Sequence, residues 1–246
     1  MAIVVVWGQS NARSAGTIGL DVPPSLQSLV GVSIWNTFTQ SIEPYIAGVN
    51  SDTFSMADRY PQKWGPEAEF ARLHCEEYPD EPVHILKCAI GGTKLGSTVG
   101  RNWRPSLNEL FLETTVHLNT LKAALGGTSV VSAVLGMQGE GDAAYGYLAD
   151  QYEANKIEFY AAARAQWGDA NTRFIDGRIS KNAVGLPYAA TVRAAQLSAA
   201  DSEMNAHLVT TDDLPLGAGG LHFTAEGVVA LGNRMFHAYA RIAASD

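Results

Sequence analysis

Ile3-Val4-Val5-Val6-Trp7-Gly8-Gln9-Ser10-Asn11 decides the fold. A continuous β-branched run, with no polar alternation, reads as a strand buried on both faces. Such strands belong to parallel sheets covered by helices. Outward from it, Val32–Trp35, Val83–Ile90, Ser129–Met137, Arg173–Ile179 and His207–Thr211 are further candidate strands. Helical stretches lie between them. One opens at Gly65-Pro66-Glu67 and runs to about Tyr78, where Pro79 forbids continuation. Ser106–Leu125 carries Leu107, Leu110, Phe111, Leu118, Leu121 and Leu125 at helical spacing, and Ser106 with Glu109 reads as a capping box. Tyr147–Trp167, an Ala-rich segment from Tyr188 to about Ser202, and Thr224–Ala244 with Thr224 as N-cap complete the set. Strands alternating with helices predict an α/β layered fold with a parallel sheet. Gly8–Arg59 is the least regular part and is expected to hold long loops.

Composition narrows the partners. The 246 residues are 46% hydrophobic and 17% charged, which excludes wholesale disorder. A chain of this length buries about 70 to 75% of its unfolded surface without staples. Acidic residues outnumber basic ones 25 to 17, so no nucleic acid and no anionic membrane surface is expected as partner. No run of about 18 apolar residues suggests a transmembrane helix. Residues 1–7 are too short for a signal peptide and lack its basic start. Cys75 and Cys88 read as two free thiols. Zinc ligands at the usual spacing are absent, so no metal or other cofactor is expected.

In an open parallel sheet, ligands bind beyond the carboxyl ends of the strands. Gly8-Gln9-Ser10-Asn11 follows the first strand, Gly91-Gly92-Thr93 the third, and Gln138-Gly139-Glu140-Gly141-Asp142 the fourth; Gly219-Gly220-Leu221-His222-Phe223 precedes the last helix. One rim thus gathers a hydroxyl, glycine amides, a carboxamide, carboxylates and an imidazole. Serine is a weak nucleophile that needs a base, and imidazole titrates in the right range. The N–H of Gly92 and the carboxamide of Gln138 suit an oxyanion, each such donor being worth roughly 3 kcal/mol. Taken singly, a serine after a strand is more often a helix cap and a glycine pair more often a turn. Their joint order along the chain favours chemistry.

These blocks, with Trp64-Gly65-Pro66-Glu67 and Lys87-Cys88-Ala89-Ile90-Gly91-Gly92-Thr93, resemble the sialate O-acetylesterase-like branch of the SGNH hydrolases, which includes carbohydrate esterase family six. They span Gly8–Phe223, nearly the whole chain. The resemblance implies a flavodoxin-like three-layer αβα sandwich with about five parallel strands, and residues 1–246 as a single SGNH-type esterase domain. It implies a metal-free serine esterase that removes acetyl groups from carbohydrates. Ser10 would be nucleophile and His222 base. The oxyanion donors would be the Ser10 and Gly92 amides and the Gln138 side chain. Glu140 and Asn11 would support the loops around Ser10. Val32–Asn50 is also similar to members in phage tail proteins. The sugar, the oligomeric state and the compartment are not encoded in any motif.

One departure stands out. The family places Asp three residues before the histidine, and here that position is Gly219. Asp orients the imidazole, and its loss costs about 10⁴ in rate in a serine protease. Three readings follow. A Ser–His dyad works with a backbone carbonyl. A carboxylate from Glu140, Asp142, Asp212 or Asp213 substitutes. Or the protein is a catalytically silent carbohydrate-binding module on an esterase scaffold. Trp64 and Trp103 are candidate sugar-stacking residues, although loop clamping is the commoner use of such tryptophans. A nucleotide-binding reading fails because Gly-x-Gly-x-x-Gly is absent after the first strand.

Overall fold

A computed structural model describes residues 1–17, 19–54, 63–96 and 100–243. Seven strands form one sheet: β1 (Ala2–Gly8), β2 (Val32–Asn36), β3 (Ser41–Pro44), β4 (Val83–Ala89), β5 (Val131–Met137), β6 (Arg173–Gly177) and β7 (Ala206–Val209). Their order is β3-β2-β4-β1-β5-β6-β7, and only β3 runs antiparallel to its neighbour. Every residue of β1 is buried, as its unbroken apolar run requires.

The five strands β4-β1-β5-β6-β7 reproduce the flavodoxin order 2-1-3-4-5. The expected count of about five parallel strands is therefore exceeded. A β2–β3 hairpin is added outside β4, with β2 parallel to β4. The sequence reading missed β3, which carries the polar, partly exposed residues Ser41-Ile42-Glu43-Pro44 of a sheet edge. The supposed loops of the Gly8–Arg59 stretch thus include this hairpin, while residues 55–59 lie outside the described part.

The helices are α1 (Ser10–Arg13), α2 (Pro66–Glu77), α3 (Leu110–Ala124), α4 (Glu140–Ala143), α5 (Gly146–Ala149), α6 (Tyr152–Gln166), α7 (Ala189–Asp201) and α8 (Ala225–Ala243). α2 packs on α8, and α6 on α7. Between the sheet and α6, the Trp7 ring stacks on Phe159 with centroids 3.8 Å apart.

Two helix expectations need correction. Ser106 and Glu109 do not form a capping box. Pro105–Leu107 is a 3-10 turn, and Asn108 at φ 53° interrupts it before α3 begins. Glu109 instead accepts the backbone N–H of Asn102 at 2.8 Å, and the Ser106 N–H goes to Glu158 at 3.0 Å. Tyr147–Trp167 is two helices, because the chain turns at Asp150–Gln151. The turn lets α6 begin with Tyr152, whose hydroxyl donates to Gln138 at the end of β5. Thr224 caps α8 as expected, its Oγ1 accepting the Gly227 N–H at 3.3 Å. Ala244 lies outside the described residues. Cys75 and Cys88 are both free thiols. Among the described residues, no helix is long and apolar enough to cross a membrane.

Candidate active site

The order in which the five core strands are added reverses between β1 and β5, and that switch point is where such sheets bind ligands. Gly8 ends β1 at φ 126°, and a Cβ there would overlap the Met137 carbonyl of β5. Only glycine lets the two strand ends approach this closely. The next residue, Gln9, donates its N–H to Met137 at 3.0 Å, and its Oε1 accepts the Gly141 N–H at 2.9 Å. The chain then turns into α1, which Ser10 opens.

Ser10 lines a cleft of about 680 Å³ with Gly91, Gly92, Glu140 and His222. Residues 10 and 222 are thus brought to one cavity from opposite ends of the sequence. Among the described residues, no hydrogen bond engages Ser10 Oγ, either ring nitrogen of His222, or the amide N–H of Ser10 or Gly92. Two cleft-lining residues thus carry uncommitted amide N–H groups, and one of them a free hydroxyl. Gly92 sits at φ 73° with open space around its Cα.

Asn11 carries the geometry. Its Nδ2 donates to the Leu221 carbonyl at 3.1 Å, and its Oδ1 accepts the Phe223 N–H at 3.1 Å. One side chain thus grips the backbone on both sides of His222 and ties it to the residue after Ser10. Glu140 Oε1 accepts a second N–H from Asn11 Nδ2 at 2.7 Å, while its Oε2 is buried without a partner. Burial pushes the Glu140 carboxyl above the usual range. The His222 loop is closed by the Gly217 N–H donating to the His222 carbonyl at 2.8 Å, and by a Leu216–Phe223 bridge.

The imidazole is half-buried. Burial, and then the positive charge of Lys63, hold its pKa below the usual 6.5. It is therefore neutral at pH 7, the form able to accept a proton.

None of the four candidate carboxylates bonds to it. Glu140 holds Asn11. Asp142 accepts the Leu95 N–H and Gln138 Nε2, at 3.0 and 2.6 Å. Asp212 forms a bidentate pair with Arg193, and Asp213 one with Arg234. Among the described residues, no carboxylate is hydrogen-bonded to the His222 ring. The same holds for a backbone carbonyl on the ring.

Gln138 is only 2% exposed. Its Oε1 accepts the Tyr152 hydroxyl at 2.8 Å and its Nε2 donates one hydrogen to Asp142. One N–H of that amide stays uncommitted, and the amide is held rigidly beside the cleft rather than on its wall. Asp142 was missed as a positioning residue. By gripping both Gln138 and the loop after Gly91-Gly92, it ties two of the proposed oxyanion elements together. Burial raises its carboxyl to about 6. No helical spacing signalled this pair, because Gln138 precedes α4 and Gly139 turns the chain at φ 134° before it.

Trp64 and Trp103 do not line the cleft; both are fully buried. Trp103 Nε1 donates to the Gly8 carbonyl at 3.1 Å and the ring meets Trp7 edge-on. The Trp64 carbonyl accepts the Thr17 hydroxyl at 2.7 Å. Both clamp loops, and neither can stack on a sugar.

The remaining family-like residues form a buried charged support under α1. Glu67 Oε1 accepts Lys87 Nζ at 2.8 Å, the Gly65 N–H at 3.0 Å and the Tyr45 hydroxyl at 3.1 Å. Lys87 also reaches the Arg13 carbonyl, and Arg13 pairs with buried Asp52 at 2.8 Å. Partners of this kind keep buried charges affordable.

The sheet order is that of a flavodoxin-like three-layer α/β fold, with the cleft at its switch point. The family model for carbohydrate esterase, sialic acid-specific acetylesterase, matches residues 1–241, and the chain belongs to that family. It is a carboxylic ester hydrolase of the carbohydrate acetylesterase class. Similar solved structures include a protein from Arabidopsis thaliana, at 22% identity and TM-score 0.79 with 98% of each chain covered. NanS matches at 15% identity and TM-score 0.74, over 100% of this chain and 98% of that one. A carbohydrate acetylesterase from Xanthomonas citri matches at 14% and 0.70, over 100% of this chain and 57% of that one. No curated protein matches the sequence.

Proposed function

We propose that the chain is a single-domain serine esterase that removes O-acetyl groups from carbohydrates through an acyl-enzyme on Ser10. The observation carrying this reading is the shared cleft. Ser10, Gly92 and His222 all line one cavity at the switch point, and the Ser10 and Gly92 N–H groups carry no hydrogen bond among the described residues, which supports this reading.

Ser10 Oγ attacks the acetyl carbonyl carbon while neutral His222 takes the hydroxyl proton. The carbonyl oxygen gains the negative charge and is met by the Ser10 and Gly92 amides, with the uncommitted N–H of Gln138 as third donor. The tetrahedral species collapses. The C–O bond to the sugar breaks, and the imidazolium protonates the departing sugar oxygen. Water then gives a proton to His222 and its oxygen attacks the acetyl-serine. The second collapse releases acetate, and the imidazolium returns its proton to Ser10. The hydrogen bond between Ser10 and His222 closes as the ester arrives, since catalytic contacts tighten in the Michaelis complex. Asn11 takes over the positioning that a triad carboxylate performs elsewhere, holding the loop rather than the ring. No step calls for a metal or cofactor.

The test is hydrolysis of 4-nitrophenyl acetate by wild type and by Ser10→Ala. Removing the nucleophile should lower kcat/KM at least about 10³-fold. Equal rates would refute the mechanism. Glycan binding with no turnover by wild type would favour the silent binding module instead.

A further inference from the structure

The cleft is larger than an acetyl group needs, and an exposed tyrosine on its wall has two others close by. Tyr145 lines it and is 48% exposed; Tyr147 and Tyr188 are 62% and 42% exposed. The Tyr145 and Tyr147 centroids lie 6.1 Å apart. The Tyr188 ring packs over the glycine between them, 3.2 Å from a Cβ built on Gly146 to its hydroxyl oxygen. Tyr145 on the cleft wall, Tyr147 beside it and Tyr188 against Gly146 therefore form one cluster at the cleft. Among the described residues, no hydrogen bond engages any of the three hydroxyls. Lys94 also lines the cleft, and its Nζ is 5.4 Å from the Tyr145 centroid.

A packing role does not account for this arrangement. Buried Trp35, Trp103 and Trp167 show how the fold uses rings for packing, with covered faces and Nε1 groups donating to His117, Gly8 and Thr115. The three tyrosines are exposed, and their hydroxyls carry no hydrogen bond among the described residues. A pyranose presents an apolar C–H face and a rim of hydroxyls. Amphipathic rings that are rigid about two torsions meet both at low entropic cost.

We propose that Tyr145, Tyr147 and Tyr188 form a sugar-stacking platform for the units next to the acetylated one, so that the substrate is an acetylated oligo- or polysaccharide. The inference rests on the esterase reading and names the substrate class of the same site. The platform takes the role that the sequence suggested for Trp64 and Trp103. Gly146 is part of it, because any side chain there would push the Tyr188 ring aside.

The test compares kcat/KM on 4-nitrophenyl acetate, glucose pentaacetate and cellobiose octaacetate for wild type, Tyr145→Ala, Tyr147→Ala, Tyr188→Ala and Tyr145→Phe. Wild type should prefer the disaccharide to the monosaccharide ester. Each alanine variant should lower the ratio of the disaccharide rate to the 4-nitrophenyl acetate rate about 3- to 10-fold, mainly through KM, with Tyr145→Phe keeping most of it. An unchanged ratio overturns the platform. So does a preference that shifts only among 4-nitrophenyl esters of longer acyl chains, because the rings would then hold an acyl tail. Failure of the esterase reading shows separately, as equal 4-nitrophenyl acetate rates in wild type and Ser10→Ala. In that case calorimetric titration of Ser10→Ala with cellohexaose and xylohexaose, with and without Tyr145→Ala, decides the platform. Binding that is lost with Tyr145 supports it, and binding to neither glycan overturns it.

Discussion

Gly219→Asp should make this enzyme faster above neutrality and no faster in acid. Among the described residues His222 has no carboxylate partner, and Glu140, Asp142, Asp212 and Asp213 are engaged elsewhere. A Cβ on Gly219 meets nothing within 4 Å, and its backbone lies outside the left-handed region, so aspartate enters without strain. At about 4 Å and an effective dielectric near 20, opposite unit charges attract by about 4 kcal/mol. Position 219 is exposed, and solvent screening leaves about 1 kcal/mol, a factor of about five. That energy stabilises the imidazolium formed in the transition state. It equally stabilises the imidazolium of the resting enzyme, raising the His222 pKa by about 0.7. In wild type that pKa lies below 6.5, so the acid limb of the kcat/KM profile lies below 6.5 as well. The base must be neutral, so a raised pKa moves the limb to higher pH. Well below both pKa values the smaller neutral fraction cancels the fivefold gain, and the two profiles converge. Rates on 4-nitrophenyl acetate from about pH 4.5 to 9 read this directly, with Gly219→Asn as the uncharged control. A gain uniform in pH, an equal effect of asparagine, or no change in either limb or plateau would refute the electrostatic account.

Two further outcomes follow from the supports of the site. Asn11→Ala removes the hydrogen bonds to Glu140, Leu221 and Phe223, and should cost about 2 to 3 kcal/mol in a urea melt at about 1 kcal/mol each. Its kcat should fall more than its KM changes, because the His222 loop loses its registration with Ser10 while the cleft wall remains. Asp142→Asn replaces one of two acceptor oxygens by a donor that must face at least the Leu95 N–H, so activity and stability should both drop. It should also remove a pH dependence. The folded carboxyl titrates at about 6 against 3.8 when free, so wild type binds the extra proton only when folded. That contribution is full below about pH 4 and is lost as pH rises through 6, a slope in the urea midpoint that the asparagine variant should lack.

Much of this protein was legible in its linear order. The apolar run of β1 demanded a strand covered on both faces. The Gly-Gln-Ser-Asn, Gly-Gly-Thr, Gln-Gly-Glu and Leu-His-Phe blocks fell after strands or before a helix, where a parallel sheet gathers its ligands. These signals survive because they are local, set by hydrophobic period and turn chemistry. The tryptophans were misjudged for the opposite reason. An indole suits a core and a sugar cleft equally well, and only the surrounding chain puts Trp64 and Trp103 inside and leaves Tyr145, Tyr147 and Tyr188 open. The capping box at Ser106 failed because Glu109 found the Asn102 amide, a partner supplied by a neighbouring loop.

Sequence alone determined the layered α/β class, the order of the blocks and the missing aspartate at 219. Tertiary structure alone decided that Asn11 spans 210 residues to reach Leu221, and that Asp142 joins Gln138 to the Leu95 loop. The physical reason is that a hydrogen bond depends on separation in space to within a few tenths of an ångström, whereas chain spacing fixes distance only within a single helix or strand.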